Sequence, residues 1–244
     1  MAQILPRRVA LAFRNASDDE AALDILLKSM RPDWHTIRTN FFGDALDSNW
    51  AAGVVDAGPS GSITIANKMT LTTGATDNGH YGQGPGLAWK GDNGVYFETI
   101  AAPGAAITTV KYEIGLTDSA SDAGAVATKA TPTGTADDFC VLVFDTDDNT
   151  QLDIISELDN GGPAANAENV YTLAASTIFS AEFKAQGDVV GVFINGSNVG
   201  SGSMQGGDLV TPWWFAQARA GAASRTLDVY WAFCTGPNGN ALVY

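Results

Sequence analysis

The sequence predicts an all-β fold, a two-sheet sandwich carried behind a short N-terminal arm that contains one helix. Three observations predict it. From Phe41 onward, short runs rich in β-branched and aromatic residues are separated by Gly, Asn, Asp and Pro, which is the spacing of strands and tight turns. The 27 glycines among 244 residues supply turns and bulges. A helical period is confined to the first forty residues. A chain of this length, 45% hydrophobic and 16% charged, buries a sizeable core, and the expected organisation is an arm over 1–40 and one sandwich over 41–244.

The arm is set apart by charge. It holds six of the 13 basic residues against five acids, a net +1, which leaves −15 on the other 204 residues. Its start carries the apolar residues Ile4, Leu5, Val9, Leu11 and Phe13 among Arg7, Arg8 and Arg14. Ser17-Asp18-Asp19-Glu20 then reads as a capping box with an acidic first turn, followed by about three turns of helix. Leu23, Leu26, Leu27 and Met30 recur at intervals of three and four, and Pro32 ends the helix. Such a stripe needs a surface to bury against, on its own sandwich or on a neighbour, and the arm is expected to serve assembly.

Twelve strands are expected: Ser62–Ala66, Met69–Thr72, Gly86–Lys90, Val95–Ile100, Thr108–Leu116, Phe139–Asp145, Gln151–Glu157, Tyr171–Ala174, Ile178–Lys184, Val189–Ile194, Trp213–Ala218 and Leu227–Phe233. Asn195-Gly196 marks a two-residue hairpin after Val189–Ile194, because both central positions of a type I′ turn need positive φ. Thr117–Asp138 and Asp159–Asn169 read as long loops, where binding surface or plain connection both fit.

Composition narrows the function. A net charge of −14 opposes nucleic-acid binding, which needs a surplus of basic groups, and keeps a displayed surface soluble. No run reaches membrane-spanning length, and Pro6, Arg7 and Arg8 interrupt the opening segment as a secretory signal would not be interrupted. Cys140 and Cys234 each sit in a strand-like run and read as buried free thiols, consistent with synthesis in a reducing cytoplasm.

Several motifs, weak singly but ordered, carry a family resemblance over Phe41 to Pro237. They are Phe42-Gly43-Asp44-Ala45-Leu46 with Trp50, Val95-Tyr96-Phe97-Glu98, Tyr112-Glu113-Ile114-Gly115-Leu116-Thr117-Asp118, and a C-terminal series. That series runs from Phe193-Ile194-Asn195-Gly196 through Leu209 and Pro212 to Leu227-Asp228-Val229-Tyr230-Trp231. The whole resembles the concanavalin A-like lectin and glucanase superfamily in the form found in virion proteins of tailed bacteriophages. Because that sandwich hosts lectins, glycosidases and adhesion modules, the site needs its own argument.

Glycosidases of that superfamily set three acids on one strand face, since retaining hydrolysis needs a nucleophile and an acid about 5 Å apart. The nearest segment is Gln151-Leu152-Asp153-Ile154-Ile155-Ser156-Glu157. Gln151 stands at the nucleophile position, where an amide forms no glycosyl ester, and Glu157 lies too far along. His35 and His80 are the two histidines, and neither adjoins a nucleophile; His80 is expected in an exposed loop and His35 as a surface or packing residue. No catalytic residues are assigned. Asp145, Asp147 and Asn149 alternate as calcium ligands do, but Thr150 and Ser156 replace the turn glycine and the bidentate Glu, so an acidic turn is the simpler reading and calcium is left unassigned. Trp213 and Trp214 are candidates for stacking on a sugar, because strand alternation sends them to opposite faces.

The resulting expectation is a non-enzymatic virion structural protein, made in the host cytoplasm, that decorates a bacteriophage head. Its partners would be the major capsid protein or other virion subunits, with a homo-oligomer and host-surface glycans as further partners, and with no nucleic acid and no membrane insertion. A tail or fibre receptor-binding protein, a free carbohydrate-binding lectin and a divergent glycosidase are the alternatives.

Overall fold

The computed structural model describes residues 34–41, 55–58, 60–119, 124–221 and 223–237. Outside its strands, the one helical element among these residues is a 3-10 turn at Gly91–Asn93. The first half of the chain forms β1 (Trp34–Thr39), β2 (Val55–Ala57), β3 (Ser62–Ile65), β4 (Met69–Thr72), β5 (His80–Gln83), β6 (Trp89–Lys90), β7 (Val95–Pro103), β8 (Val110–Thr117) and β9 (Val126–Thr128). The second half forms β10 (Thr133–Gly134), β11 (Phe139–Asp145), β12 (Asn149–Glu157), β13 (Ala164–Thr172), β14 (Phe179–Gln186), β15 (Val189–Ile194), β16 (Ser197–Ser203), β17 (Leu209–Ala218) and β18 (Thr226–Pro237).

Sixteen of these strands make two antiparallel sheets, and β9 and β10 pair as a separate two-stranded hairpin. Sheet I has the order β16-β15-β14-β7-β18-β4-β3, with β1 also on β18. Sheet II has the order β13-β12-β11-β8-β17-β5-β2, with β6 also on β17. Alternation of side chains builds the layer between them. Tyr112, Ile114 and Leu116 of β8, Leu142 and Phe144 of β11, and Phe179, Ala181 and Phe183 of β14 all point into one apolar core. Phe97 lies at its centre, edge-on to Trp214 at 5.2 Å and stacked with Phe183 at 5.6 Å. The Trp214 indole donates to Thr99 Oγ1 at 3.2 Å, so its burial leaves no orphan donor. Each large apolar side chain buried this way contributes about 1.5–3 kcal/mol.

Three departures from the expected strands have physical causes. First, the sheet begins at Trp34: residues Trp34–Thr39, which composition groups with the arm, pair with Ala232–Pro237 of β18. His35 adds a seam between the sheets, since its carbonyl accepts the Trp89 indole N–H at 3.0 Å and its ring lies 4.9 Å from that indole. Second, Ser197–Ser203 is a full strand although it has no apolar alternation. The sheets close together there, and a Cβ at Gly200 or Gly202 would press on Ile154 or Cys140 at 2.9 and 2.6 Å; a composition that reads as loop is what the approach requires. Third, the stretches read as loops contain the β9–β10 hairpin and most of β13. The arm positions Ile4, Leu5, Arg7, Arg8, Val9, Leu11, Phe13, Leu23, Leu26, Leu27 and Met30 lie outside the described residues.

Candidate functional site

The outer face of sheet II gathers the residues that the sequence singles out. Cross-strand register aligns Phe215, Glu113, Val143 and Asp153 in one row, and Gln217, Lys111 and Asp145 in the next. Trp213, Ile155 and Glu157 lie on the same face. The β9–β10 hairpin covers it and buries a second apolar cluster of Ala125, Val126, Ala136, Phe139, Val141, Val143 and Ile155.

Beneath the hairpin, Glu113, Lys111, Lys129 and Asp145 each have charged partners. Glu113 is fully buried and accepts the backbone N–H groups of Ala125 and Val126 at 2.8 and 3.1 Å and the Trp213 indole N–H at 3.1 Å. Lys111, also fully buried, pairs with Glu113 at 2.8 Å, donates to the Val126 carbonyl and lies 4.9 Å over the Phe215 ring. Burial pushes the Lys111 ammonium below its ordinary range, and the Glu113 charge pulls it back up. Lys129, from the hairpin tip, donates to Asn149 Oδ1 at 2.6 Å and to the Gln151 carbonyl at 2.8 Å, and pairs with Asp153 at 3.2 Å and Asp148 at 3.3 Å. Arg219 clasps Asp145 through Nε at 2.9 Å and donates to the Ala127 carbonyl at 2.9 Å.

This arrangement decides most of the candidate residues. Trp213 and Trp214 do point to opposite faces, but both are fully buried, Trp213 stacked on Phe215 with its N–H on Glu113 and Trp214 in the core, so neither offers a face for a sugar. Asp145 and Asn149 are held by Arg219 and Lys129, and Asn149 Oδ1 also accepts the Gln151 N–H at 2.9 Å. Asp147 is 66% exposed and 3.7 Å from Arg219, so the three do not converge on a cation; among the described residues no cluster of three metal-ligating side chains forms. Asp153 and Glu157 share a face, but Asp153 is tied to Lys129 and to the Asn169 N–H at 2.7 Å, while Glu157 accepts the Gly162 N–H at 3.1 Å. His80 is a correction: it lies in β5, is 3% exposed, and packs 5.5 Å from Phe215. The expected loop is a strand because Gly82 lets the chain pass directly against Trp213, where a Cβ would collide with the indole.

Lys111, Glu113, Lys129 and Arg219 receive no site role from the motifs, although Glu113 stands within one of them. A signal exists for the first two, since Val110-Lys111-Tyr112-Glu113-Ile114 places opposite charges two residues apart in an apolar strand, and hence on one face. Nothing local announces Lys129 or Arg219.

No protein-family model matches the chain, and no curated protein does. Solved structures do match in fold. The chain is similar over the full length of both chains to SO2946 from Shewanella oneidensis MR-1, a protein of unknown function, with a TM-score of 0.63 and 11% identity. It is similar to the carbohydrate recognition domain of Emp47p, with a TM-score of 0.53 and 8% identity over 82% of this chain and 96% of that one. The Crh5 transglycosylase is another neighbour, with a TM-score of 0.56 and 12% identity over 84% and 85%. The fold is therefore the concanavalin A-like jelly roll, an architecture seen in both carbohydrate recognition domains and glycan-acting enzymes.

Proposed function

We propose that the chain is a non-enzymatic structural protein of a bacteriophage particle, a head decoration protein that displays this lectin-like sandwich outward and is fastened by its arm. The carrying observation is the outer face of sheet II, where the chain's own hairpin occupies the ground a substrate would need. Three acids on that face already hold internal cations or donors: Glu113 holds two backbone N–H groups and Lys111, Asp153 holds Lys129, and Asp145 holds Arg219, while Glu157 is buried beneath Gly134 of the hairpin. A retaining or inverting pair needs two carboxyl groups open to the same bond, with one free to give up a proton. The resemblance of the C-terminal strands to virion sandwiches, and the contrast between a −15 sandwich and a +1 arm, support the particle role.

Two measurements test the proposal. Incubation with β-glucans and host polysaccharide is expected to give no turnover; turnover abolished by Asp153→Asn would overturn the non-enzymatic reading. Removal of residues 1–16, which leaves β1 in place, is expected to give a folded sandwich that no longer joins undecorated particles. Full occupancy by this truncated protein would overturn the anchoring role. Similarity to a carbohydrate recognition domain favours one second reading, a tail or fibre protein that binds host glycans through another surface. Glycan-array binding by the sandwich, with particle imaging that places it on the tail, would favour it.

A further inference from the structure

A bulge in β18 gives sheet I an aromatic outer face. The register slips at Tyr230, so that Val229 and Ala232 both turn into the core and Tyr230 and Trp231 come to lie together on the outside. Phe233 and Thr235 follow on the same face, alternating with buried Cys234. The Trp231 and Phe233 rings are 6.1 Å apart and within 8° of parallel, and Tyr96 of β7 meets Phe233 at 6.0 Å. All three are half-buried. The polar groups beside them are already matched: the Tyr96 hydroxyl donates to Glu98 at 2.7 Å, and Lys184 pairs with Glu182 at 3.1 Å. What remains for a partner is chiefly apolar ring surface.

Chain path and length identify that partner. Trp34 opens β1 opposite Pro237, beyond the Thr235 end of the aromatic row. A segment that reverses direction just before Trp34 would pass over Thr235, Phe233 and Trp231 in turn. The three residues 31–33 span at most about 10 Å. A helix over Ser17–Met30 would be roughly 21 Å long, close to the approximately 25 Å of strand from Asp228 to Thr235. Its stripe of Leu23, Leu26, Leu27 and Met30 has the apolar character the rings lack a partner for. We propose that the outer face of sheet I around Trp231, Phe233 and Tyr96 is the docking surface for the helix Ser17–Met30 of the same chain. The helix then orients the arm, and Ile4–Phe13 projects from a fixed point. The inference concerns the isolated protein and holds or fails independently of any particle.

Hydrogen exchange on the full chain tests it. Amides of residues 20–30 are expected to exchange slowly, and Phe233→Asp is expected to speed them roughly tenfold or more while Val141–Phe144 keep their protection. Should that variant fail to fold, Leu23→Asp with Leu27→Asp reads the same contact from the other side. Acrylamide quenching of Trp231, taken as the difference from a matched Trp231→Phe protein, should then rise. Exchange of residues 20–30 that is already fast, or unchanged quenching, would overturn the proposal. Protection that disappears on dilution together with a dimer mass would also overturn it, in favour of an arm exchanged between two copies.

Discussion

Glu113 concentrates the outer face of sheet II in one side chain. Four donors converge on it, among them the fully buried Lys111 ammonium, whose ion-pair partner it is at 2.8 Å. Glu113→Ala is expected to cost about 3–5 kcal/mol, whereas Lys111→Met with Glu113→Leu should recover much of the loss, because an apolar pair leaves no charge stranded. Denaturant midpoints at constant slope measure both. Gly196 is a simpler case. Asn195 and Gly196 have φ of 51° and 79°, and a Cβ on Gly196 would touch nothing, so Gly196→Val isolates backbone strain. The expected cost is about 1–2 kcal/mol, or roughly 2–8 °C in melting temperature. Asp118 supplies a pH dependence. Burial, the largest influence on it, raises its carboxyl above the ordinary 3.8, and Oδ1 has no hydrogen-bond partner. Between 3.8 and that raised value the folded state holds more protons than the unfolded one, so this stability contribution is complete below 3.8 and is lost as pH rises through the folded value. Asp118→Asn should flatten that slope in melts between pH 3 and 6, and an unchanged slope would assign it to another carboxyl.

At the scale of elements, the β9–β10 hairpin separates this molecule from an open-faced sandwich. Its composition of Ala, Ser, Thr and Gly reads as loop because it carries too little apolar surface to announce a strand pair. It is held instead by targets distant in sequence: Glu113 for its N–H groups, Lys111 and Arg219 for its carbonyls, and Asp153 for Lys129. Replacing residues 125–135 with a short Gly-Ser link should therefore uncover Phe139, Val141, Val143 and Ile155, remove two N–H donors from Glu113 and take Lys129 from Asp153 and Asp148. Binding of a hydrophobic dye at pH 7 and a lower melting temperature are expected; a variant that melts like the parent and binds no dye would show the hairpin to be dispensable. The β15–β16 hairpin was legible for the opposite reason, since Asn195-Gly196 carries its turn geometry in two adjacent residues.

For the whole molecule, charge governs colloidal behaviour. With −14 at neutral pH and an isoelectric point near 4.2, the protein is expected to repel its own kind at pH 7 and to lose solubility as pH approaches 4.2. Light scattering across that range at low ionic strength checks this, and association that is strongest at pH 7 would point to a specific apolar contact.

Periodicity and turn chemistry were enough to determine the class of fold, the positions of most long strands and the tightest turn. Each of these depends on residues within a few positions of one another, as in Phe139–Asp145 and Val189–Ile194, whose bounds were predicted as observed. Tertiary structure alone decided the fate of the candidate site. The Trp213 N–H is taken by Glu113, a hundred residues away, and Asp145 meets Arg219 across seventy-four. His80 is buried rather than exposed, and Trp34–Thr39 joins the sheet because β18 outruns β4 and leaves an edge to fill. Local sequence sets what each strand can be; which charges are satisfied depends on the neighbours that the sheet order brings together.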